Sequence, residues 1–251
     1  MNVADLRDAT MLPTKIIAID VWGDYACYRR GYTTTSPLTY PIPPRTALAG
    51  LVSAILGKEK DSYWRSFQLT NALFGVQLLS PIRKIRITQN LIDTKVGWNL
   101  KETKGQRTQI PFEYLKSPKY RIFFWTSAME ELEKLRELVS NHKSIYTPCL
   151  GLSECITNFE FVDEFTEIHE KSAGDIGVDI STVISGDNFE IKIEKGKKYG
   201  KVRIPHTMNT ERVVTKFADV IYEENGEPIK ITRGNYLELI GNNKKVNVVL
   251  F

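Results

Sequence analysis

The sequence predicts an α+β fold in which two helices are set among strands and a region of short strands follows. Two patterns predict it: apolar residues alternate with a period of two in several segments and recur at helical spacing in others. Beyond residue 165, short strand-like runs are separated by turn dipeptides such as Asn225-Gly226. With 251 residues, 42% of them hydrophobic, the chain can bury a sizeable core.

The first strand is predicted over residues 15–28, where Gly23 permits a bend. A helix is expected to begin at Pro44, whose missing amide costs nothing in a first turn, and to end at Gly57. The aromatic residues of 61–74 predict a second, short helical piece. The first strand is therefore followed by helical structure.

Strand character returns over residues 76–92 and again over 120–125. Between them lies a polar, glycine-containing segment, 93–109, which we expect to project as a hairpin or loop. A helix with a Ser127-x-x-Glu130 capping box is predicted over 128–139, and a strand region follows over 145–161.

The predicted order is β-α-β-β-α-β, which is that of the ferredoxin-like fold, with an insertion between its middle strands. We assign this domain to residues 15–164. Residues 165–251 are expected to form a smaller β-rich C-terminal subdomain, and residues 1–14 a flexible N-terminal segment.

Basic residues concentrate in the middle of the chain. Residues 81–121 hold ten Lys and Arg against three Asp and Glu, a net charge of +7 within a protein of net charge +4. A basic stretch that carries aromatic side chains is typical of a surface for nucleic-acid phosphates. The alternative is an ordinary solvated surface.

Several classes of protein are excluded by missing motifs. The chain has no P-loop, no Gly-x-Gly-x-x-Gly and no Gly-x-Ser-x-Gly. Its three histidines and three cysteines lack metal-ligand spacing, so we expect no metal or cofactor, and we expect each histidine at the surface or at a strand end. No apolar run approaches the roughly 18 residues of a membrane span, and residues 1–14 lack a signal core. We therefore expect a cytoplasmic protein without membrane contact.

Five sequence blocks resemble a known family. The chain is similar to the Cas-five family of CRISPR-associated RAMP proteins, and particularly to its type I-B form. The blocks cover most of residues 15–155 in the family's order: GDYACYRR at 23–30, TYPIPPRTALAGL at 39–51, RTQIPFEYL at 107–115, YRI at 120–122 and YTPCLG at 146–151.

The resemblance implies a ferredoxin-like, RRM-like RAMP domain with an inserted thumb hairpin at about 93–109. It further implies a non-catalytic subunit of the Cascade surveillance complex in antiviral defence. That subunit holds the 5′ handle of the CRISPR RNA, contacts the backbone and large subunits, and can lie near target DNA.

Nine residues follow from the resemblance as RNA-binding candidates. Arg29, Arg30 and Arg45 would meet handle phosphates, and Tyr40 would stack on a base or hydrogen-bond to it. The thumb contacts would come from Lys95, Trp98, Lys101, Lys104 and Arg107, with Trp98 as the stacking candidate.

Two other functions stay open. The type I-C branch of the family is a metal-independent endoribonuclease that processes precursor CRISPR RNA with a Tyr, Lys and His group. Tyr40 matches that tyrosine, but the Lys-His pair has no counterpart, and we therefore favour a non-catalytic role. The second alternative is a protein-interaction module whose basic stretch meets an acidic partner.

Overall fold

The computed structural model of this protein describes residues 12–33, 35–60, 62–92, 107–242 and 244–251. Its helices are α1 (Arg45–Leu56) and α2 (Met129–Ser140). The strands are β1 (Ile16–Trp22), β2 (Tyr25–Ala26), β3 (Ala72–Leu78), β4 (Lys84–Ile92), β5 (Arg107–Lys116), β6 (Lys119–Thr126), β7 (Asn158–Phe165), β8 (Glu167–Ser172), β9 (Val178–Ile180), β10 (Ile184–Ser185), β11 (Glu190–Ile191), β12 (Tyr199–Met208), β13 (Val214–Glu223), β14 (Ile229–Arg233), β15 (Asn235–Ile240) and β16 (Lys245–Val248).

A four-stranded antiparallel sheet, in the order β3-β6-β1-β7, lies at the centre of the molecule. Successive side chains of β1 point to opposite faces. Ile17 and Ile19 enter a core shared with α1 and α2, whereas Ile16 and Ala18 enter a second core against β15 and β16. The alternation that predicts β1 therefore separates two cores, because the sheet is covered on both faces.

Helix α1 begins and ends as predicted, with Pro44 at its N-cap and Gly57, in the left-handed region at φ 76°, at its C-cap. Helix α2 also lies close to its predicted range. Its predicted capping box is wrong, however, because Ala128 is the N-cap and no side chain caps the helix. The amide of Ala128 donates instead to Thr126 Oγ1 at 3.3 Å.

Two segments differ from the prediction. Residues 62–71 form consecutive turns rather than a helix, and β3 begins where a helix was expected to continue. Tyr63 and Phe67 are buried there, and packing into the core overrides the helical spacing of these aromatics. Residues 145–157 form a loop held by isolated bridges such as Cys27 with Gly151, so the last strand of the sheet starts only at Asn158.

Strands β4 and β5 form a long antiparallel hairpin, paired from Lys84 with Leu115 to Ile92 with Arg107. All nine side chains of β4 are exposed or half-buried. The polar segment that was expected to project lies largely outside the described residues, which stop at Ile92 and resume at Arg107.

The chain beyond residue 165 is β-rich, as predicted, and consists of short antiparallel sheets. It is tied to the central sheet by backbone hydrogen bonds: Val183 N–H donates to Val76 O at 2.7 Å, and Phe251 and Phe74 exchange two bonds of 2.8 and 2.9 Å. The proposed division at residue 165 stays a prediction. Within the described ranges, no helix is long and apolar enough to cross a membrane.

Candidate nucleic-acid interface

The loop between β2 and α1 presents the first group of candidate residues. Its two arms are joined by bonds from Arg30 N–H to Leu38 O and from Tyr40 N–H to Tyr28 O, both 2.9 Å long. Buried Thr39 strengthens this pairing, because its Oγ1 accepts a bond from Tyr28 N–H at 2.9 Å. The pairing brings together Arg30 and Tyr40, which are ten residues apart in sequence.

Arg30 has a defined position on this loop. Its guanidinium carbon lies 5.3 Å from the centre of the Tyr40 ring, in a cation–π contact. Its Nε donates to Thr39 O at 3.2 Å and its Nη1 to the Tyr32 hydroxyl at 2.9 Å. The cation is therefore placed at the surface before any ligand arrives.

A cleft of about 490 Å³, which we call the basic cleft, opens beside Arg30 and reaches β12 and β13. Four cationic side chains line it: Arg30, Lys84, Lys201 and Arg203. Four aromatic side chains line it as well: Tyr32, Tyr40, Phe217 and Tyr222. A single-stranded nucleic acid is bound by such a combination of cations and aromatic rings, since the cations neutralise phosphates and the rings stack on bases.

The charges of the basic cleft are only partly neutralised by neighbours. Lys84 Nζ lies 3.1 Å from Glu113 Oε1, and Lys201 Nζ lies 3.4 Å from Asp219 Oδ2. Arg203 stacks on the Phe217 ring at 5.7 Å. Of the two pairs, Lys201–Asp219 is exposed on both sides, and an exposed ion pair contributes little to stability.

A second cleft of about 570 Å³, the aromatic cleft, adjoins the first, and both share Tyr40. It runs between α1, the turns of 62–71 and the β12–β13 hairpin, and Arg29, Tyr63 and Trp64 are among its lining residues. The two clefts form one continuous candidate interface around the β2–α1 loop.

The sequence-predicted residues fall into three groups. Arg29, Arg30 and Tyr40 line the two clefts, and Arg107 is exposed at the start of β5, remote in sequence from the loop. Four further candidates lie outside the described residues: Lys95, Trp98, Lys101 and Lys104.

Arg45 forms the third group, and its position corrects the expectation that it faces the handle phosphates. Its side chain is 3% exposed, donates from Nη2 to Ala72 O at 2.7 Å and lies over the Phe74 ring. Burial lowers the pKa of Arg45 to about 10, so the guanidinium still carries its charge at neutral pH. Arg45 is a core cation and not part of either cleft.

Tyr40 and the histidines bear on the chemistry of the clefts. Burial raises the pKa of Tyr40, so its hydroxyl is less readily deprotonated than a free tyrosine. His142 stacks on Phe159 and His169 is exposed on β8, whereas His206 is buried inside β12, contrary to expectation. Within the described residues, no histidine lines either cleft.

The β12–β13 hairpin supplies cleft residues that the sequence did not identify. Lys201 and Arg203 are two residues apart on β12 and therefore share one face. This alternation is visible in the sequence, but nothing in it indicates that β12 lies beside the β2–α1 loop. Half of the basic cleft is thus contributed by the C-terminal part of the chain.

Comparison with known proteins gives a consistent picture. The model of the family described as CRISPR-associated protein (Cas_Cas5) matches residues 16–219. A CRISPR protein from Archaeoglobus fulgidus is similar in structure, with a TM-score of 0.51, 17% identity, and coverage of 94% of this chain and 98% of that chain. A chain of a CRISPR RNA-guided surveillance complex has a TM-score of 0.51 at 11% identity, covering 85% of this chain and 91% of its own. At these identities the likeness shows the fold. No curated protein matches.

Proposed function

Because the chain belongs to the family of CRISPR-associated proteins (Cas_Cas5), we propose that it is a non-catalytic RNA-binding subunit of a type I surveillance complex. Membership of the family supports a role in CRISPR RNA-guided defence. The proposed ligand is the 5′ handle of the CRISPR RNA, and the proposed complex is a cytoplasmic Cascade of type I-B. Contacts with its backbone and large subunits, and proximity to target DNA, belong to the same proposal.

The central sheet supports a ferredoxin-like, RRM-like domain. Taken from β7, its order is β7-β1-β6-β3, with α1 after β1 and α2 after β6. This corresponds to the strand order 4-1-3-2 of a β-α-β-β-α-β unit. The β4–β5 hairpin is inserted in the chain between β3 and β6, the second and third strands of that unit, and we propose that it is the base of the thumb.

The basic cleft carries the proposal. Arg30 from the loop and Lys201 and Arg203 from β12 bring positive charge to the cleft, and their neighbours Tyr32 and Phe217 are 70% and 42% exposed. Exposed rings beside cations bind single-stranded RNA by stacking bases while the phosphates are neutralised. The thumb contacts of Lys95 to Arg107 remain predictions that would extend this interface.

The protonation state of Tyr40 favours a binding role over RNA cleavage. Metal-independent cleavage of RNA needs a group that accepts the 2′-hydroxyl proton near neutral pH. The pKa of Tyr40 is raised, which makes its hydroxyl a poor candidate. Together with the lack of a histidine among the described lining residues of either cleft, this supports the non-catalytic proposal, and precursor processing is the alternative.

Charge reversal at Arg203 tests the proposal. The side chain is exposed and contacts the Phe217 ring, so we expect Arg203→Glu to keep the fold while placing a negative charge in the basic cleft. We expect its affinity for single-stranded repeat RNA to fall at least about ten-fold. Fluorescence anisotropy with the full chain measures the affinity.

Arg233→Glu is the matched control, since Arg233 is also an exposed strand arginine and lines neither cleft. Equal losses in the two variants would contradict a defined site. Incubation of the labelled repeat RNA in EDTA addresses catalysis. Cleavage that disappears in Tyr40→Phe would overturn the non-catalytic proposal.

A further inference from the structure

A third cavity lies away from the basic cleft, between α1, the turns of 62–71 and β12. Its volume is about 240 Å³, and Arg45, Trp64, Phe67, His206 and Met208 are among the residues that line it. It shares no lining residue with the basic cleft. We call it the Arg45 cavity.

Arg45 brings an uncompensated positive charge to this cavity. Its side chain is 3% exposed, and within the described residues no acidic group offsets the effect of burial on its pKa. One nitrogen donates to Ala72 O, but Nε is buried without a hydrogen-bond partner. A buried cation without a counter-ion is costly, because it has lost water and gained no opposite charge.

Two further residues that line the cavity also carry a buried nitrogen without a hydrogen-bond partner. Trp64 Nε1 and His206 Nδ1 are buried and lack a partner. With Arg45 Nε they are the three unpartnered buried side-chain nitrogens of the described residues, and all three belong to residues that line this cavity. Buried polar groups in proteins are almost always hydrogen-bonded, so three unpartnered nitrogens on the lining residues of one cavity call for an acceptor there.

The protonation of these groups agrees with a ligand that accepts hydrogen bonds. An indole N–H can only donate. Burial, with the positive charges of Arg45 and Lys216, lowers the pKa of His206 to about 3, so its ring is neutral at physiological pH. The Nδ1–H tautomer of a neutral ring donates as well.

We propose that the Arg45 cavity binds a small oxyanion of the phosphate type, held by Arg45, Trp64 and His206. The cavity has room for such an ion, because its volume of about 240 Å³ exceeds that of several water molecules at about 30 Å³ each. Phe67 and Met208 keep the site apolar around the donors, which strengthens the attraction between the ion and the guanidinium. The cavity shares no lining residue with the basic cleft but shares Thr46, Trp64 and Met208 with the aromatic cleft, so phosphate binding has to be measured in the absence of RNA.

Titration of inorganic phosphate into the RNA-free full chain tests the site. The readout is the Trp64 indole N–H signal in a proton–nitrogen NMR spectrum, assigned by its loss in Trp64→Phe. We expect a saturable shift of that signal with phosphate and none with chloride at the same ionic strength. Absence of a saturable shift, or an equal response to chloride, would overturn the proposal.

Calorimetric titration of the variants gives a second measurement. Trp64→Phe keeps the aromatic packing and removes one donor, so phosphate affinity should fall about ten-fold. Trp22→Phe is the control, because Trp22 does not line the cavity, and its affinity should not change. The NMR shift of the unaltered protein decides the question even if Trp64→Phe fails to fold.

The phosphate group could be free or part of an RNA chain, and a competition arm distinguishes the two sources. If RNA phosphate fills the cavity, single-stranded RNA blocks the binding of inorganic phosphate in the calorimetric titration, which decides the question because Trp64 also lines the aromatic cleft. If the ligand is a free ion, RNA leaves the phosphate titration unchanged. Failure of RNA to bind at all would contradict the proposed function and leave the phosphate titration intact.

Discussion

Thr39 shows how one residue organises the interface. It is fully buried, its hydroxyl accepts from Tyr28 N–H and donates to Tyr40 O, and its carbonyl accepts from Arg30 Nε. Its amide donates to Glu113 Oε1 at 3.3 Å, which links the loop to β5. Because these four bonds hold both arms of the loop, Arg30 and Tyr40 need little reorganisation on binding a ligand.

His206 gives a prediction at the scale of the residue. Its pKa is about 3 in the folded chain, against 6.5 when unfolded, because of burial and the charges of Arg45 and Lys216. The unfolded state therefore takes up a proton first as the pH falls, and stability present above pH 6.5 is lost toward pH 3. Between about pH 6.5 and pH 5 the free energy of unfolding should fall by about 1.6 kcal/mol from this residue, because the unfolded ring is half protonated at pH 6.5 and almost fully protonated at pH 5.

Urea unfolding at the two pH values, for the unaltered chain and for His206→Phe, measures this contribution. The variant cannot take up that proton, so its loss of stability on acidification should be smaller by the same amount. An identical acid dependence in both proteins would show that His206 is accessible to protons in the folded state.

The elements of the interface come from distant parts of the chain. The β2–α1 loop provides Arg30 and Tyr40, β4 provides Lys84, and the β12–β13 hairpin provides the remaining charges. Helix α1 starts directly after the β2–α1 loop and buries one of its faces in the main core. It therefore anchors the C-terminal end of the loop. The position of α1 therefore sets the position of the loop.

The C-terminal end of α1 supplies a prediction at the scale of the element. A Cβ added at Gly57 would lie 2.5 Å from Ile145 Cδ1, and the residue has a left-handed φ of 76°. Gly57→Ala should lower the free energy of unfolding by about 1–3 kcal/mol through strain and overpacking. Gly174→Ala is the control, because no atom lies within 4 Å of its added Cβ. Denaturant unfolding that places both variants at equal stability would contradict the role of Gly57.

At the scale of the whole molecule, Phe251 lies beside β3, the edge strand of the central sheet. Phe251 pairs with Phe74 of β3 and joins the main core. The β-rich C-terminal part is thereby held against the first sheet, and β12 packs along α1. Because of this arrangement, the basic cleft is lined both by residues within 30–84 and by residues within 201–222.

The salt dependence of RNA binding tests that surface as a unit. Four cations in the basic cleft can release at most four counter-ions from the RNA. The logarithm of the binding constant falls linearly with the logarithm of the salt concentration. This cleft should contribute about −3 to the slope of that line. Comparison with a variant that carries Arg30→Gln and Arg203→Gln should show a slope shallower by about 1.4. An unchanged slope would show that the RNA phosphates lie elsewhere.

Much of the architecture is encoded locally and is readable from the sequence. Pro44 and Gly57 mark α1 because each restricts or frees the backbone of its own position, and the alternation in β1 follows from strand geometry. The prediction fails at residues 62–71, where aromatic side chains are spaced as in a helix but pack into the core from turns.

The sequence by itself determined the family blocks, the boundaries of α1 and the loop that carries Arg29, Arg30 and Tyr40. Only the tertiary structure decided that Arg45 is buried and that Lys201 and Arg203 stand across the cleft from the loop. The reason is physical. Backbone preferences and hydrophobic periods act over a few residues, whereas the depth of a side chain and its neighbours depend on pairing between strands that are far apart in the chain.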